Sequence, residues 1–324
     1  MTGLFFWKRK LFFLIISIFG FGCASDYEEV YEKISDIHNP TKNDWKHLQK
    51  YINRGERPYL KWLDIFDSGI PSDGCRYDAR SRQFNFLGNK KSSSDFLLHK
   101  EYIDSEPEDR ARCIICYASY NGNFPKKVKR MIERLKESKF RGHFLYRIGG
   151  WPDVEGGSLK LIHVPYAFKV CMFKEAKRLG YKRVLWMDTS FKPLKNFNSI
   201  FHLIRRDGYF VTSLDRTSLR DRGSRKVQSA FELSDDEMLS IKELASGLIG
   251  VDFSSKTGVE LIDRWYNAAL ALDPFLSPRP EQSALAAILY KMDLQPTCSF
   301  YEIAAIDANY KLPKHFFLFG LLND

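Results

Sequence analysis

YKRVLWMDTSFKP, residues 181–193, is the stretch whose reading decides the fold. A basic lead-in gives way to four apolar residues, Val184, Leu185, Trp186 and Met187, and a lone carboxylate, Asp188, follows where the run stops. So short an apolar run, preceded by a helix-like segment, predicts a strand buried on both faces, as parallel sheets require. In open α/β sheets, ligands collect beyond the carboxyl ends of such strands, where Asp188, Thr189 and Ser190 fall. Spacing alone leaves Asp188 two roles, a carboxylate that does chemistry or one that caps a turn.

The same rhythm extends on both sides. CIICYAS (113–119), GHFLYRI (142–148), YFVTS (209–213) and SGLIGVDF (246–253) read as further strands. Between and after them lie helical patterns. PKKVKRMIERLKESKF opens on Pro125, favoured at a first helical position, and carries Val128, Ile132 and Leu135 on one face. HVPYAFKVCMFKEAKRLG, NSIFHLIRRDG, DDEMLSIKELAS, SSKTGVELIDRWYNAALAL and RPEQSALAAILYKM follow in turn. LDRTSLRDRGSRK reads as a basic loop, with Arg216, Arg220, Arg222 and Arg225 able to meet an anion. Alternation of this kind predicts an α/β fold, a mostly parallel sheet flanked by helices, over residues 112–324.

The preceding sequence divides in two. Residues 26–111 are charged and irregular, with two short helical patterns, and are expected to form a stem. Residues 1–25 place Lys8, Arg9 and Lys10 ahead of twelve uncharged residues, Leu11 to Gly22, and then Cys23-Ala24-Ser25. A membrane span needs roughly 20 apolar residues, so this shorter run predicts an export signal, with Cys23 as a lipidated residue, or else an uncleaved anchor. Either tethers the chain to a membrane on its non-cytosolic side. No Asn-x-Ser/Thr sequon with a permitted middle residue occurs, which favours a bacterial lipoprotein over a Golgi type II protein.

Composition narrows the partners. Of 324 residues, 44% are hydrophobic and 15% aromatic, enough for a sizeable core and too many for disorder. The formal net charge of +10 suits phosphate-bearing partners. The basic residues are dispersed and no zinc-finger, RNP-like or basic-zipper spacing occurs, so nucleic acid is not expected. No G-x-S-x-G, H-E-x-x-H or Walker sequence occurs to suggest a hydrolase or nucleotide motor. Cys113 and Cys116 have C-x-x-C spacing, but on a strand they point to opposite faces and are expected to be buried thiols, not a metal pair. Cys75 could form a bridge in an exported domain.

Taken in order, Y-A-S-Y (117–120), P-Y-A-F-K (165–169), V-L-W-M-D-T-S (184–190), S-G-L-I-G-V (246–251) and R-P-E-Q-S-A-L (279–285) resemble the GT-A glycosyltransferases. The resemblance is to those with a W-x-D-x-S motif where others have D-x-D. It implies that Asp188 holds a divalent cation, Mn²⁺ or Mg²⁺, bridging the donor diphosphate, with Ser190 in place of the second carboxylate. It also implies a nucleotide seat at Ala118, Ser119 and Tyr120, and Lys169 directed at the diphosphate. Gly247 would lie beside the sugar, and Glu281 with Gln282 at a helix start would touch the donor sugar or serve as base. His315, late in the chain, resembles the C-terminal metal histidine of some GT-A enzymes, without a flanking pattern of its own. For Gly247 and Gly250, sugar approach and simple packing both remain open. The expectation is a membrane-tethered hexosyltransferase that moves a sugar from a nucleotide donor to a hydroxyl of a glycan, lipid or protein. The alternative is a catalytically silent surface lipoprotein of the same fold that binds carbohydrate or protein.

Overall fold

The computed structural model describes residues 75–78 and 83–86 as main chain, and 98–118, 124–148, 152–155, 161, 164, 166–305 and 318–321. The signal or anchor with Cys23, the early stem helices, Ser119, Tyr120 and His315 lie outside these residues.

Two short strands, β1 (Cys75–Asp78) and β2 (Gln83–Phe86), pair antiparallel. Then come β3 (His99–Ile103), β4 (Arg112–Ala118), α1 (Phe124–Glu137), β5 (Gly142–Ile148), α2 (Phe168–Arg178), β6 (Arg183–Met187) and β7 (Phe191–Pro193). α3 (Asn198–Asp207), β8 (Tyr209–Ser218), α4 (Leu219–Arg222), α5 (Arg225–Ala230), α6 (Asp235–Ser240), β9 (Lys242–Asp252) and α7 (Lys256–Leu270) follow. A 3-10 turn at Asp273–Phe275 leads to α8 (Pro280–Lys291), β10 (Cys298–Ser299), α9 (Phe300–Ile303), β11 (Ala304–Ala305) and β12 (Phe319–Leu321).

Seven strands form one sheet in the order β10-β8-β9-β6-β4-β5-β3. Five of them, β4, β5, β6, β8 and β10, run the same way, whereas β9 and the edge strand β3 run against them. The sheet is therefore mixed: its pairings are half antiparallel, because β9 lies between β6 and β8 and β3 runs against β5. A hydrophobic pattern records burial but not strand direction, so this was not visible in the sequence. The sheet also begins earlier than Arg112, since β3 lies in the stretch expected to be stem. A small second sheet, β11-β12-β7, lies beyond the end of β6.

Side chains alternate between two cores, as strands buried on both faces require. Cys113, Ile115, Tyr117, Val184 and Trp186 pack with α2, α7 and α8, through residues such as Val170, Phe173, Trp265 and Leu285. Ile114, Cys116, Ala118, Leu185 and Met187 pack on the other face with Val128, Leu135, Phe201 and Ile204 of α1 and α3. Cys113 and Cys116 are accordingly buried free thiols on opposite faces. Each large apolar side chain so enclosed contributes about 1.5–3 kcal/mol relative to exposure.

Two expectations need correction. The basic stretch after YFVTS is not a loop: β8 runs on to Ser218, and α4 and α5 follow. Ser218 with Asp221 forms a capping box, and the Ser224 hydroxyl accepts from the Val227 N–H, so serines read as loop formers are helix starts. DDEMLSIKELAS is a helix only as far as Ser240, because Ile241 turns extended and β9 begins at Lys242.

Candidate functional site

The site is made by a misalignment between two strands. β9 pairs with β8 at Ile249–Val211 and next at Ala245–Thr212, so Ser246, Gly247 and Leu248 have no partners on β8. They stay close to the β6 side, where Leu248 faces Met187 and the Asp188 N–H donates to the Gly247 carbonyl at 3.0 Å. Irregularities of this kind re-aim side chains next to active sites. Here the irregularity brings Ser246 and Gly247 to the carboxyl end of β6.

Four segments meet there. The Lys169 ammonium, on the first turn of α2, donates to the Ser246 carbonyl at 3.1 Å, the Ser246 Oγ at 2.9 Å and Glu281 Oε1 at 3.1 Å. It also lies 3.4 Å from Asp188 Oδ1. Ser246 Oγ donates to Glu281 Oε1 at 2.7 Å, and Trp186 Nε1 donates to Asp188 Oδ1 at 2.7 Å. An ammonium has three protons, so Lys169 has none left over for a phosphate. Within the described residues it donates to Ser246 and Glu281 and forms an ion pair with Asp188, so it lies between the two carboxylates. Its burial, with the side chain 4% exposed, is as its apolar neighbours Phe168 and Val170 imply.

Asp188 is oriented on one side and open on the other. Oδ1 takes Trp186 and Lys169, whereas Oδ2 has no hydrogen-bond partner among the described residues. The turn after β6 is closed by main chain, the Phe191 N–H donating to the Asp188 carbonyl, so the side chain is not its cap. About a third of the Asp188 side chain, 33%, is exposed. Burial of the carboxyl raises its pKa more than the Lys169 charge and the indole N–H lower it. Burial works to lower the Lys169 pKa, but the charges of Asp188 and Glu281 outweigh it and hold the ammonium above its ordinary value. One positive charge faces two negative ones, leaving the cluster net anionic.

Gly247 is required by close approach. A Cβ there would come within 2.3 Å of the Phe191 ring and 3.3 Å of Asp188 Oδ2. At Gly250 a Cβ would strike Ile204 and Phe210, so that glycine serves helix packing and not a ligand. Ala118 ends β4, fully buried in the α1/α3 core, and can offer a ligand only main chain. Ser190 is half-buried in the turn beyond Asp188. Gln282 follows Glu281 on α8, and its Oε1 is buried without a partner among the described residues. The arginines are not drawn to the cluster. Arg216 lies over the Tyr301 ring at 5.9 Å, Arg222 Nε is 4.0 Å from Glu243 Oε2, and all four are exposed.

Three residues had not been singled out. Trp186 lies two residues before Asp188, which stands just past the end of β6, and the i, i+2 spacing puts both on one side, a signal present in W-x-D itself. Ser246 joins Lys169 to Glu281, across separations of 77 and 35 residues that no local pattern records. Glu243 is 2% exposed, with Oε1 lacking a partner among the described residues, and burial pushes its pKa up.

Among the described residues no group of three or more His, Cys, Asp or Glu side chains could cage a metal. The open Asp188 Oδ2 fits a Mg²⁺- or Mn²⁺-type ion that takes its remaining oxygens from substrate and water.

No protein-family model matches the sequence, and no curated protein matches it. Among solved structures, the chain is similar to mouse xyloside xylosyltransferase 1 in its apo form, at a TM-score of 0.38 and 10% identity, covering 62% of this chain and 88% of that one. It is also similar to the apo bifunctional glycosyltransferase WbbM, at a TM-score of 0.40 and 8% identity, covering 74% of this chain and 49% of that one. Both similarities are distant.

Proposed function

We propose that this protein is a GT-A-like glycosyltransferase, transferring a sugar from a nucleoside-diphosphate donor to a hydroxyl of a glycan, lipid or protein. One observation carries the reading: Asp188, just beyond the carboxyl end of β6, is fixed through Oδ1, while Oδ2 has no partner among the described residues and the side chain is one-third exposed. In the transfer, the bond from the anomeric carbon to the diphosphate breaks and the acceptor oxygen forms the new one. The acceptor proton is lost, and the diphosphate leaves with the bonding pair. Asp188 would hold the donor end, with Mn²⁺ or Mg²⁺ bound through Oδ2 neutralising the leaving group when present. Trp186 and Lys169 hold that carboxylate through Oδ1, and Ser246 in turn holds Lys169, the preorganisation that electrostatic catalysis needs. Glu281, 5% exposed and engaged through Oε1, stands behind Asp188 as the second carboxylate.

A second reading is a non-catalytic binding protein of this fold. It is favoured by Glu281, whose pairing with Lys169 leaves one open carboxylate where two would serve metal and base. In both readings residues 1–25 tether the domain to a membrane, and palmitate labelling that is lost in Cys23→Ser tests the lipoprotein form. The enzyme reading is tested by thermal shift with UDP, GDP and ADP, with and without Mn²⁺. Wild type should be stabilised by at least one nucleotide and Asp188→Asn should not. A wild type that none of them stabilises, or an unchanged shift in Asp188→Asn, overturns it.

A further inference from the structure

Arg222 stands apart from the Asp188 cluster, over a buried carboxylate of its own. That carboxylate is Glu243, on β9 three residues before Ser246. It is 2% exposed, and its Oε1 has no hydrogen-bond partner among the described residues. Two exposed guanidiniums attend it. Arg222, the last residue of α4, has Nε 4.0 Å from Oε2 and a side chain 49% exposed, and Arg279 directly precedes α8. Burial pushes the Glu243 pKa up, while the Thr217 hydroxyl and the charges of Arg279 and Arg222 pull it down and that of Asp221 raises it. Asp221 itself is engaged in capping α4, where it accepts from the Ser218 N–H and hydroxyl. An enclosed carboxylate with one oxygen unserved lowers stability, and carboxylates so perturbed gather at functional sites. The placement is beside the Asp188 cleft. The Ser283 hydroxyl donates to the Arg222 carbonyl at 3.4 Å, tying the end of α4 to the first turn of α8. Ser246 and Glu281, bonded at 2.7 Å, lead back along β9 and α8 to Glu243 and Arg279. Three residues of strand span about 10 Å, so one ligand can reach from the cluster to the arginines.

We propose that Arg222 and Arg279 form an anion subsite for a carboxylate or phosphate carried by the acceptor, with Glu243 as the positioning residue behind them. Guanidiniums grip carboxylate and phosphate oxygens through paired N–H groups, and one backed by a fixed carboxylate presents the rest of its fork outward. Without a ligand the two arginines are solvated and serve Glu243 poorly. An anion in front of them draws both inward, so that each guanidinium lies between two negative groups and Oε1 gains a donor. The donor diphosphate is assigned to Asp188, so a second anionic group at this distance belongs to the other substrate. The inference rests on the glycosyltransferase reading and adds to it the charge class of the acceptor.

Methyl glucuronide, glucose 6-phosphate and the neutral methyl glucoside are titrated by calorimetry into wild type, Arg222→Gln, Arg279→Gln, Glu243→Gln and the Arg222→Gln/Glu243→Gln double variant. Each titration is run alone and with UDP, GDP or ADP and Mn²⁺, whose own affinities are also measured. At least one anionic sugar should bind wild type about ten-fold or more tightly than the neutral one. Whether the glucuronide or the phosphate binds better tells a carboxylate-bearing acceptor from a phosphate-bearing one. Each arginine variant should weaken that ligand about ten-fold and leave nucleotide affinity within about two-fold of wild type. In the Glu243→Gln background the loss from Arg222→Gln should shrink to about three-fold, because the arginine is no longer aimed; a Glu243 that only supports the fold leaves the two effects additive. The proposal is overturned if wild type binds neither anionic sugar more tightly than the neutral one, if both arginine variants bind as wild type does, if nucleotide affinity falls with them, or if the Arg222 and Glu243 effects are additive. A wild type that binds the anionic sugar in an arginine-dependent way but no nucleotide removes the glycosyltransferase reading and keeps the anion subsite, as that of a binding protein.

Discussion

Replacing Lys169 with methionine keeps the reach of the side chain and removes its charge. The Lys169 side chain is 4% exposed and that of Glu281 6%, so the abandoned Glu281 carboxylate cannot be rehydrated where it lies. Breaking a buried pair by deleting one partner costs about 3–5 kcal/mol. The Ser246 hydroxyl still donates to Glu281, which argues for the lower end, and the pairing with the one-third-exposed Asp188 adds little because water reaches it. A loss of about 3 kcal/mol corresponds, for a unit of roughly 200 residues, to a Tm lower by roughly 6–12 °C. Urea unfolding of Lys169→Met between pH 5 and 8 would measure it. Lys169→Met/Glu281→Leu, which leaves no buried charge behind, should recover most of the loss. A single variant within 1 kcal/mol of wild type at pH 8, or a double variant no more stable than the single, would refute the clamp.

Other perturbations follow from the same coordinates. Gly247→Ala drives a methyl into the Phe191 ring, itself 3% exposed and wedged against Phe300 and Phe319, so a loss of about 1–3 kcal/mol in urea unfolding is expected, together with weakened nucleotide shifts. Glu243→Gln removes a buried carboxylate whose folded pKa lies above the ordinary glutamate value. Its Tm should exceed that of wild type near neutral pH, and the gain should shrink as the pH falls and vanish below the ordinary glutamate range, where wild-type Glu243 is protonated in both states. Gly250→Ala strikes Ile204 and should cost stability as Gly247→Ala does, but leave the nucleotide shifts of the surviving folded protein unchanged.

Much of the architecture was written in the chain because its signals are local. Val184–Met187 reads as a two-faced strand, and the structure divides those residues between both cores. The helices on either side carry their own faces and stops. What was illegible is long-range. Nothing in S-G-L-I-G-V says that this strand runs against its neighbours or slips three residues past β8. Lys169 was singled out by the resemblance, which directs it at a diphosphate. The groups it meets in the fold, Ser246 and Glu281, lie 77 and 112 residues away, a pairing that no local pattern records. The arginine stretch was misread for a different reason: Ser and Gly there mark helix starts and ends as readily as loops.

The small sheet beyond β6 has a consequence for how the protein comes into being. Phe191, which wedges Gly247 and closes the turn after Asp188, is covered by β12: Leu321 pairs with Phe191, Phe319 packs on its ring, and the Leu194 N–H donates to the Leu318 carbonyl. These partners emerge from the ribosome some 125 residues after the turn they brace. At roughly 5–20 residues per second, the nascent chain waits several seconds with that aromatic surface bare. Holding the Asp188 turn thus waits on chain made long after the turn itself, and a chain broken off before Leu318 would carry every candidate site residue and lack the brace that covers Phe191.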